Sequence, residues 1–219
     1  MSAAVQPFRR LEGRAAPMPI DNVDTDAIIP SRESRSVSRD GYAEKLFANW
    51  RYTPGTRIEN PDFVLNRPPY RQAKILVAGK NFGCGSSREA AAWSLVQFGI
   101  RCVIAESFGN IFRGNCIRNG VLPVALDAAA MSRLIDIAGE PDNSIAVDLE
   151  AQKVSDGRGQ EWSFRIDPLE RDMLLEGLDE IELTLRLKAQ IKAFQKQDRQ
   201  ARPWVWARFN PKKETRDAG

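Results

Sequence analysis

The chain contains no histidine, which removes Ser-His-Asp and Cys-His catalysis and most zinc sites from consideration. Any proton transfer must use other groups. The cysteines are odd in number and widely spaced, at Cys84, Cys102 and Cys116, with no C-x-x-C pair. They offer neither a disulfide framework nor an evident zinc or iron-sulfur ligand set, while buried or reactive thiols stay open. No apolar run approaches the roughly 20 residues needed to cross a bilayer. Arg9, Arg10, Glu12 and Arg14 interrupt the N-terminus before a signal-peptide core could form, so the expected location is cytoplasmic. A net charge of +3 is small for 219 residues, and interspersed acidic and basic side chains give no argument for nucleic acid. Internal repeats and low-complexity tracts are absent too.

What is present is the composition of a globular protein with one main domain. We expect that domain over residues 1–195 and a basic tail over 196–219. In the tail, Trp204, Val205, Trp206 and Phe209 read as a docked aromatic anchor rather than a nucleic-acid or membrane contact. Phe8 to Ala15 suggests an opening strand, which Pro17 and Pro19 interrupt. Ser31 to Gly41 is charged and poor in apolar anchors, and reads as a mobile loop. From residue 74 the pattern alternates: strand 74–79, helix 87–98, strand 101–106, helix 108–118, strand 121–126, helix 127–138. Such alternation predicts an α/β fold with a mixed, partly parallel sheet and helices packed across it. Two β-rich runs, 144–149 and 161–166, flank a hairpin turn at Asp156-Gly-Arg-Gly159. Asp167-Pro168 then opens another helix.

Chemistry concentrates in two segments. Gly79-Lys-Asn-Phe-Gly-Cys-Gly-Ser-Ser-Arg-Glu89 carries a glycine-rich loop from a buried strand into a helix. Ser86 and Glu89 fit a capping box, and Arg88 could offer a bidentate fork to a carboxylate or phosphate beside the helix N-terminus. The plainer alternative is that Ser86 only caps and Arg88 is a solvated charge. The loop lacks P-loop and dinucleotide-binding spacing, which disfavours a nucleotide. Asn22-Val-Asp-Thr-Asp26 gathers two carboxylates and a hydroxyl in a turn before an expected short apolar strand. Such residues commonly satisfy local backbone N–H groups, and that alternative also stays open.

Taken together, Asn22-Val-Asp-Thr-Asp-Ala-Ile-Ile-Pro30, Asn81-Phe-Gly-Cys-Gly-Ser-Ser-Arg-Glu89 and Ser107-Phe-Gly-Asn-Ile-Phe-Arg-Gly-Asn-Cys-Ile-Arg-Asn-Gly-Val-Leu-Pro123 resemble three ordered motifs of the 3-isopropylmalate dehydratase small-subunit family, within the aconitase superfamily. The resemblance runs from about Phe8 to about Leu187. It implies an aconitase swivelling-domain fold of β/β/α architecture and a large partner subunit that carries a [4Fe-4S] cluster. The implied reaction moves a hydroxyl between adjacent carbons of a 2-hydroxy diacid by dehydration and rehydration, with the cluster's open iron as Lewis acid. Ser86 matches the catalytic serine base, Arg88 the substrate-carboxylate arginine and Ser87 a neighbouring oxyanion contact. Asp26 with Thr25 matches a Thr-Asp pair on the cluster side.

Two departures from the family pattern bear on activity and on the substrate. Ala90 stands where the family has histidine. After Pro30, Glu33 and Ser34 replace an aromatic residue and a leucine associated with the substrate side chain, flanked by Arg32 and Arg35. Relatives acting on homoaconitate carry an arginine near the place of Arg35. Three readings follow: an isopropylmalate-type small subunit, a paralogue for a more polar homoaconitate- or aconitate-like acid, or a non-catalytic regulatory subunit retaining the fold. The Arg32 and Arg35 loop reads equally as a solvated, partner-facing segment.

Overall fold

A computed structural model describes residues 5–34, 40–85 and 88–206. Two strands open the chain, β1 (Arg10–Gly13) and β2 (Ala15–Met18), separated only by Arg14, and each belongs to a different sheet. β2 continues in parallel with β3 (Ile75–Ala78), β4 (Cys102–Ala105) and β5 (Leu122–Ala125), in that spatial order. β1 pairs antiparallel with β6 (Ile145–Asp148), which is followed by β7 (Lys153–Ser155) and β8 (Glu161–Ser163). The architecture is α/β, and the expected mixture of parallel and antiparallel pairs resolves into two sheets of one kind each.

Residue pattern explains which sheet each strand joins. β3 and β4 are unbroken apolar runs buried along their whole length, as suits parallel strands covered on both faces. Each fully buried aliphatic side chain there, such as Leu76 or Ile104, contributes roughly 1.5–3 kcal/mol of transfer free energy. β6 alternates buried and half-buried residues, the mark of a sheet with one wet face. At the switch between sheets, buried Asn143 accepts from the Ala15 N–H at 2.8 Å and donates to the Ala15 carbonyl at 3.1 Å. Its side chain takes the place of a neighbouring strand there. The opening strand does not stop at Pro17: β2 includes it, and β2 is an edge strand, where proline is tolerated.

Helices α1 (Thr25–Ile28), α2 (Ala48–Arg51), α3 (Glu89–Phe98), α4 (Asn110–Arg118), α5 (Ala128–Gly139) and α6 (Pro168–Glu176) complete the first compact unit. α5 packs on β2 and β3, α3 on α4, and α4 on β5 and α6. Arg113 and Glu170 fasten α4 to α6 through a two-pronged ion pair at 2.5 and 2.7 Å. The apolar stretch after Asp26 is helical rather than extended, because the Asp24 carboxylate caps the Ala27 N–H at 2.7 Å and starts a turn. The expected hairpin joins β7 to β8, with β7 inserted between the two β-rich runs read from sequence.

The described residues divide at 179/180, and the second unit holds α7 (Glu180–Arg186), α8 (Lys188–Ala201) and α9 (Pro203–Trp206). α8 runs across the expected 195/196 boundary. Within this unit Trp206 folds back on α8, its indole N–H donating to Asp198 at 2.8 Å while Arg199 lies over its ring at 4.7 Å. Phe209 lies outside the described residues.

Candidate active site

The three motif segments follow the C-terminal ends of three adjacent parallel strands: residues 20–28 after β2, 79–85 after β3 and 107–110 after β4. Loops at that edge of a parallel sheet converge by topology, which makes it a habitual ligand position. Here backbone hydrogen bonds join them. Asn22 N donates to Lys80 O at 2.9 Å, Gly83 N to Val23 O at 2.7 Å and Thr25 N to Cys84 O at 3.0 Å. On the other side Phe82 N donates to Ser107 O at 3.0 Å and Gly109 N to Phe82 O at 2.9 Å. Side chains add to this, with Asn81 Nδ2 on Asn22 Oδ1 at 2.8 Å and the Ser107 hydroxyl accepting from Asn81 N at 2.9 Å.

Glycine is required where these segments touch. Gly83 has φ +72°, and a Cβ there would run into the Phe112 ring. A Cβ on Gly109 would meet the Gly83 carbonyl. The sequence pattern Phe-Gly in both motifs therefore reflects mutual approach of two backbones as well as a tight turn.

At this junction Arg88 Nη1 pairs with Asp26 Oδ1 and lies 3.4 Å from the Ile29 carbonyl. The Ser31 hydroxyl donates to the same Asp26 oxygen at 2.7 Å. Together, Arg88 first and Ser31 second, these donors hold the Asp26 carboxyl below its ordinary range. Asp26 keeps 51% of its side chain exposed against 22% for Arg88, so the cation is the sheltered partner and the carboxylate the accessible one. Asp26 and Arg88, 62 positions apart in sequence, are thus brought together.

Other site residues lie elsewhere. Thr25 is buried at 1% exposure and joins the packing through its backbone N–H. Arg32 turns to Glu33 at 3.5 Å and lines a cavity of about 660 Å3 whose walls include Glu33, Tyr52, Thr56 and Arg57 but neither Asp26 nor Arg88. Ser86, Ser87 and Arg35 lie outside the described residues. Ser86, the proposed cap of the capping box, is among those outside residues. α3 starts at Glu89 with Arg88 in the cap position, two residues later than the pattern suggested, and the Glu89 carboxylate accepts from Asn119 Nδ2 at 3.2 Å. Ala90 is half-buried in the first turn of α3, packed against the core. Ser31 escaped the sequence reading because a serine at the start of a polar segment carries no distinguishing signal.

Comparison with known proteins gives this junction its context. The family description "Aconitase C-terminal domain" matches residues 5–129, and "LeuD_N" matches residues 133–168. The 3-isopropylmalate dehydratase small subunit of Cupriavidus necator is 52% identical over 204 residues, covering 92% of this chain and 98% of its own. The chain belongs to the 3-isopropylmalate dehydratase small-subunit family. A member from Dinoroseobacter shibae is 50% identical, with 92% of this chain and 100% of the relative covered. The crystal structure of 3-isopropylmalate dehydratase from Methanocaldococcus jannaschii matches with a TM-score of 0.62 at 29% identity, over 84% of this chain and 99% of that one. Family membership agrees with the resemblance carried by the three motifs and with the α/β fold. The words "small subunit" in the relatives' names imply a larger partner.

Metal-binding capacity is a separate matter. Among the described residues no group of three or more His, Cys, Asp or Glu side chains is placed to hold a metal ion. Cys102 and Cys116 are buried, and burial pushes both thiols well above their ordinary range, which opposes the thiolate form a cluster requires. Cys84 is half-buried beside the Asn22 carbonyl. Among the described residues no helix is long and apolar enough to cross a membrane.

Proposed function

We propose that the chain is the small subunit of a hydro-lyase that interconverts 2-isopropylmalate and 3-isopropylmalate by dehydration and rehydration, a step of leucine biosynthesis, in the cytoplasm. The observation that carries the reading is the Asp26–Arg88 pair at the meeting point of three motifs, in a chain about half identical to proteins named for this reaction. A [4Fe-4S] cluster belongs in this proposal to the large partner subunit, since the described donor set here does not fit one.

This chain's own part is charge management. Arg88 is the clamp for a substrate carboxylate, and Asp26 holds its guanidinium in place until an anionic ligand arrives. Both side-chain donors meet Asp26 at Oδ1, and the carboxylate is half exposed, so Asp26 can receive a ligand hydroxyl without losing Arg88. Ser86 is the base that takes the C–H proton next to the substrate carboxylate, and Ser87 a contact to the charge that develops. A serine alkoxide forms only where cations and backbone N–H groups stabilise it, and the start of the ten-residue helix α3 beside Arg88 supplies both kinds of group. Arg35 completes the proposed substrate surroundings, and buried Thr25 supports Asp26 from within the packing.

A second reading, a more polar hydroxy acid such as a homoaconitate- or aconitate-like tricarboxylate, is favoured by one observation. The segment after Pro30 presents Ser31, Arg32, Glu33 and Ser34, with Glu33 held in an ion pair by Arg57 at 2.8 Å. An isopropyl group gains roughly 1.5–3 kcal/mol from full apolar burial, and these four side chains supply none of it. Co-expression with the large subunit and anaerobic cluster reconstitution test both readings. Hydration of 2-isopropylmaleate well above that of cis-aconitate and cis-homoaconitate supports the first; the reverse preference supports the second. No turnover of any of the three by a cluster-loaded complex would refute the enzymatic reading.

A further inference from the structure

We propose that Glu33 and Arg57 are positioning residues for the Asp26–Arg88 pair and act through the Ser31 hydroxyl. The inference rests on the reading of Asp26 and Arg88 as site residues. Asp26 is more than half exposed, so the direction of its carboxylate depends on the side-chain donors that share Oδ1, Arg88 and Ser31. Ser31 opens a single 3-10 turn, Ser31–Glu33, in which no residue is buried. Its internal bonds are Glu33 N to Pro30 O at 2.8 Å, Ser34 N to Ser31 O at 3.3 Å and the Ser34 hydroxyl to Ser31 O at 2.9 Å. A turn of this length with these bonds does not hold a side chain in one place by itself.

What fixes the turn is its last residue. The Glu33 side chain is only 13% exposed and accepts from Arg57 Nη2 at 2.8 Å, with Arg32 Nε at 3.5 Å on its other oxygen. Arg57 comes from a separately closed turn, in which Thr53 N donates to Ile58 O at 2.9 Å and Ile58 N to the Thr56 hydroxyl at 3.1 Å. Its guanidinium lies over the Tyr52 ring at 5.1 Å and reaches the Glu44 carbonyl at 3.3 Å. The contacts thus form one sequence of links: Arg57 holds Glu33, Glu33 holds the turn, and Ser31 at the head of the turn holds Asp26.

Other charges near Asp26 are engaged away from it. Asp24 caps α1, Arg51 of α2 bonds the Ala43 carbonyl and Asn66, and Glu89 of α3 accepts from Asn119. Arg88 is therefore the only charged group bonded to the Asp26 carboxylate among the described residues, and Ser31 the only neutral donor from a side chain.

The test follows the Asp26 carboxyl by 13C NMR in the full-length chain, with Asp26→Asn to assign the signal. Ser31→Ala, Glu33→Gln and Arg57→Ala should each raise the Asp26 titration midpoint, and Arg57→Lys should bring it back toward wild type. In the reconstituted complex Arg57→Ala should lower kcat/KM about tenfold. The acid limb of its pH profile should move up in step with the NMR midpoint. A midpoint that rises in Ser31→Ala but stays at the wild-type value in both Glu33→Gln and Arg57→Ala overturns the inference. Midpoints that move together in a complex turning over no hydroxy acid leave the positioning network standing and refute the proposed function instead.

Discussion

Two regions at the same edge of the parallel sheet are held in different ways. The junction of residues 20–28, 79–85 and 107–110 is closed by backbone hydrogen bonds and by glycines whose neighbours occupy the space of a Cβ. The turn Ser31–Glu33, next along the chain from α1, has no buried residue and is tied down by side-chain charges. The first arrangement is rigid because many short-range bonds form at once between strand ends that the sheet already fixes. The second depends on individual ion pairs, which are adjustable and weak when exposed.

The sharpest way to break this contrast is at Gly83. Gly83→Ala places a methyl group in the Phe112 ring at a backbone conformation with φ +72°, and should cost about 3 kcal/mol or more in urea unfolding. A loss under about 1 kcal/mol would show that the Phe112 ring is not pressed against Gly83. A smaller effect concerns Asp26. Because Arg88 and Ser31 lower its folded-state pKa, the stability it contributes is present above its unfolded value of about 4 and is lost as pH falls through the lower folded value. The stability difference between wild type and Asp26→Asn should thus be flat above about pH 5 and shrink toward acid. Growth of that difference on acidification would contradict the Arg88 pairing. Smallest of all, Glu33→Gln should change global stability by less than about 1 kcal/mol, since Arg57 is 54% exposed. A much larger loss would place Glu33 in the packing that holds the fold instead of at an adjustable surface.

The same contrast decides what could be read from the amino acids. β3, β4 and β5 were legible because unbroken apolar runs between helical stretches admit few other structures, and Gly99 marked the end of α3. The pairing of Asp26 with Arg88 was legible only as two motifs of one family, since nothing local in either segment points to the other. The α1 helix was misread as a strand because Ala-Ile-Ile favours extension in isolation, whereas the Asp24 cap at its start decides for a turn. The start of α3 at Glu89 was missed for a related reason: Glu89 meets a tertiary partner in Asn119, a contact between α3 and the end of α4 that local pattern does not encode. Ser31, Glu33 and Arg57 were invisible as a set, because their relation exists only once two turns are folded against each other.

The proposed carboxylate clamp, in a site completed by a larger subunit, is tested most directly by comparing wild type with Arg88→Lys in the reconstituted, cluster-loaded complex acting on 3-isopropylmalate. Lysine keeps the charge but loses the fork, and kcat/KM should fall by about a hundredfold while assembly with the large subunit is retained. Activity of Arg88→Lys equal to wild type would contradict the account.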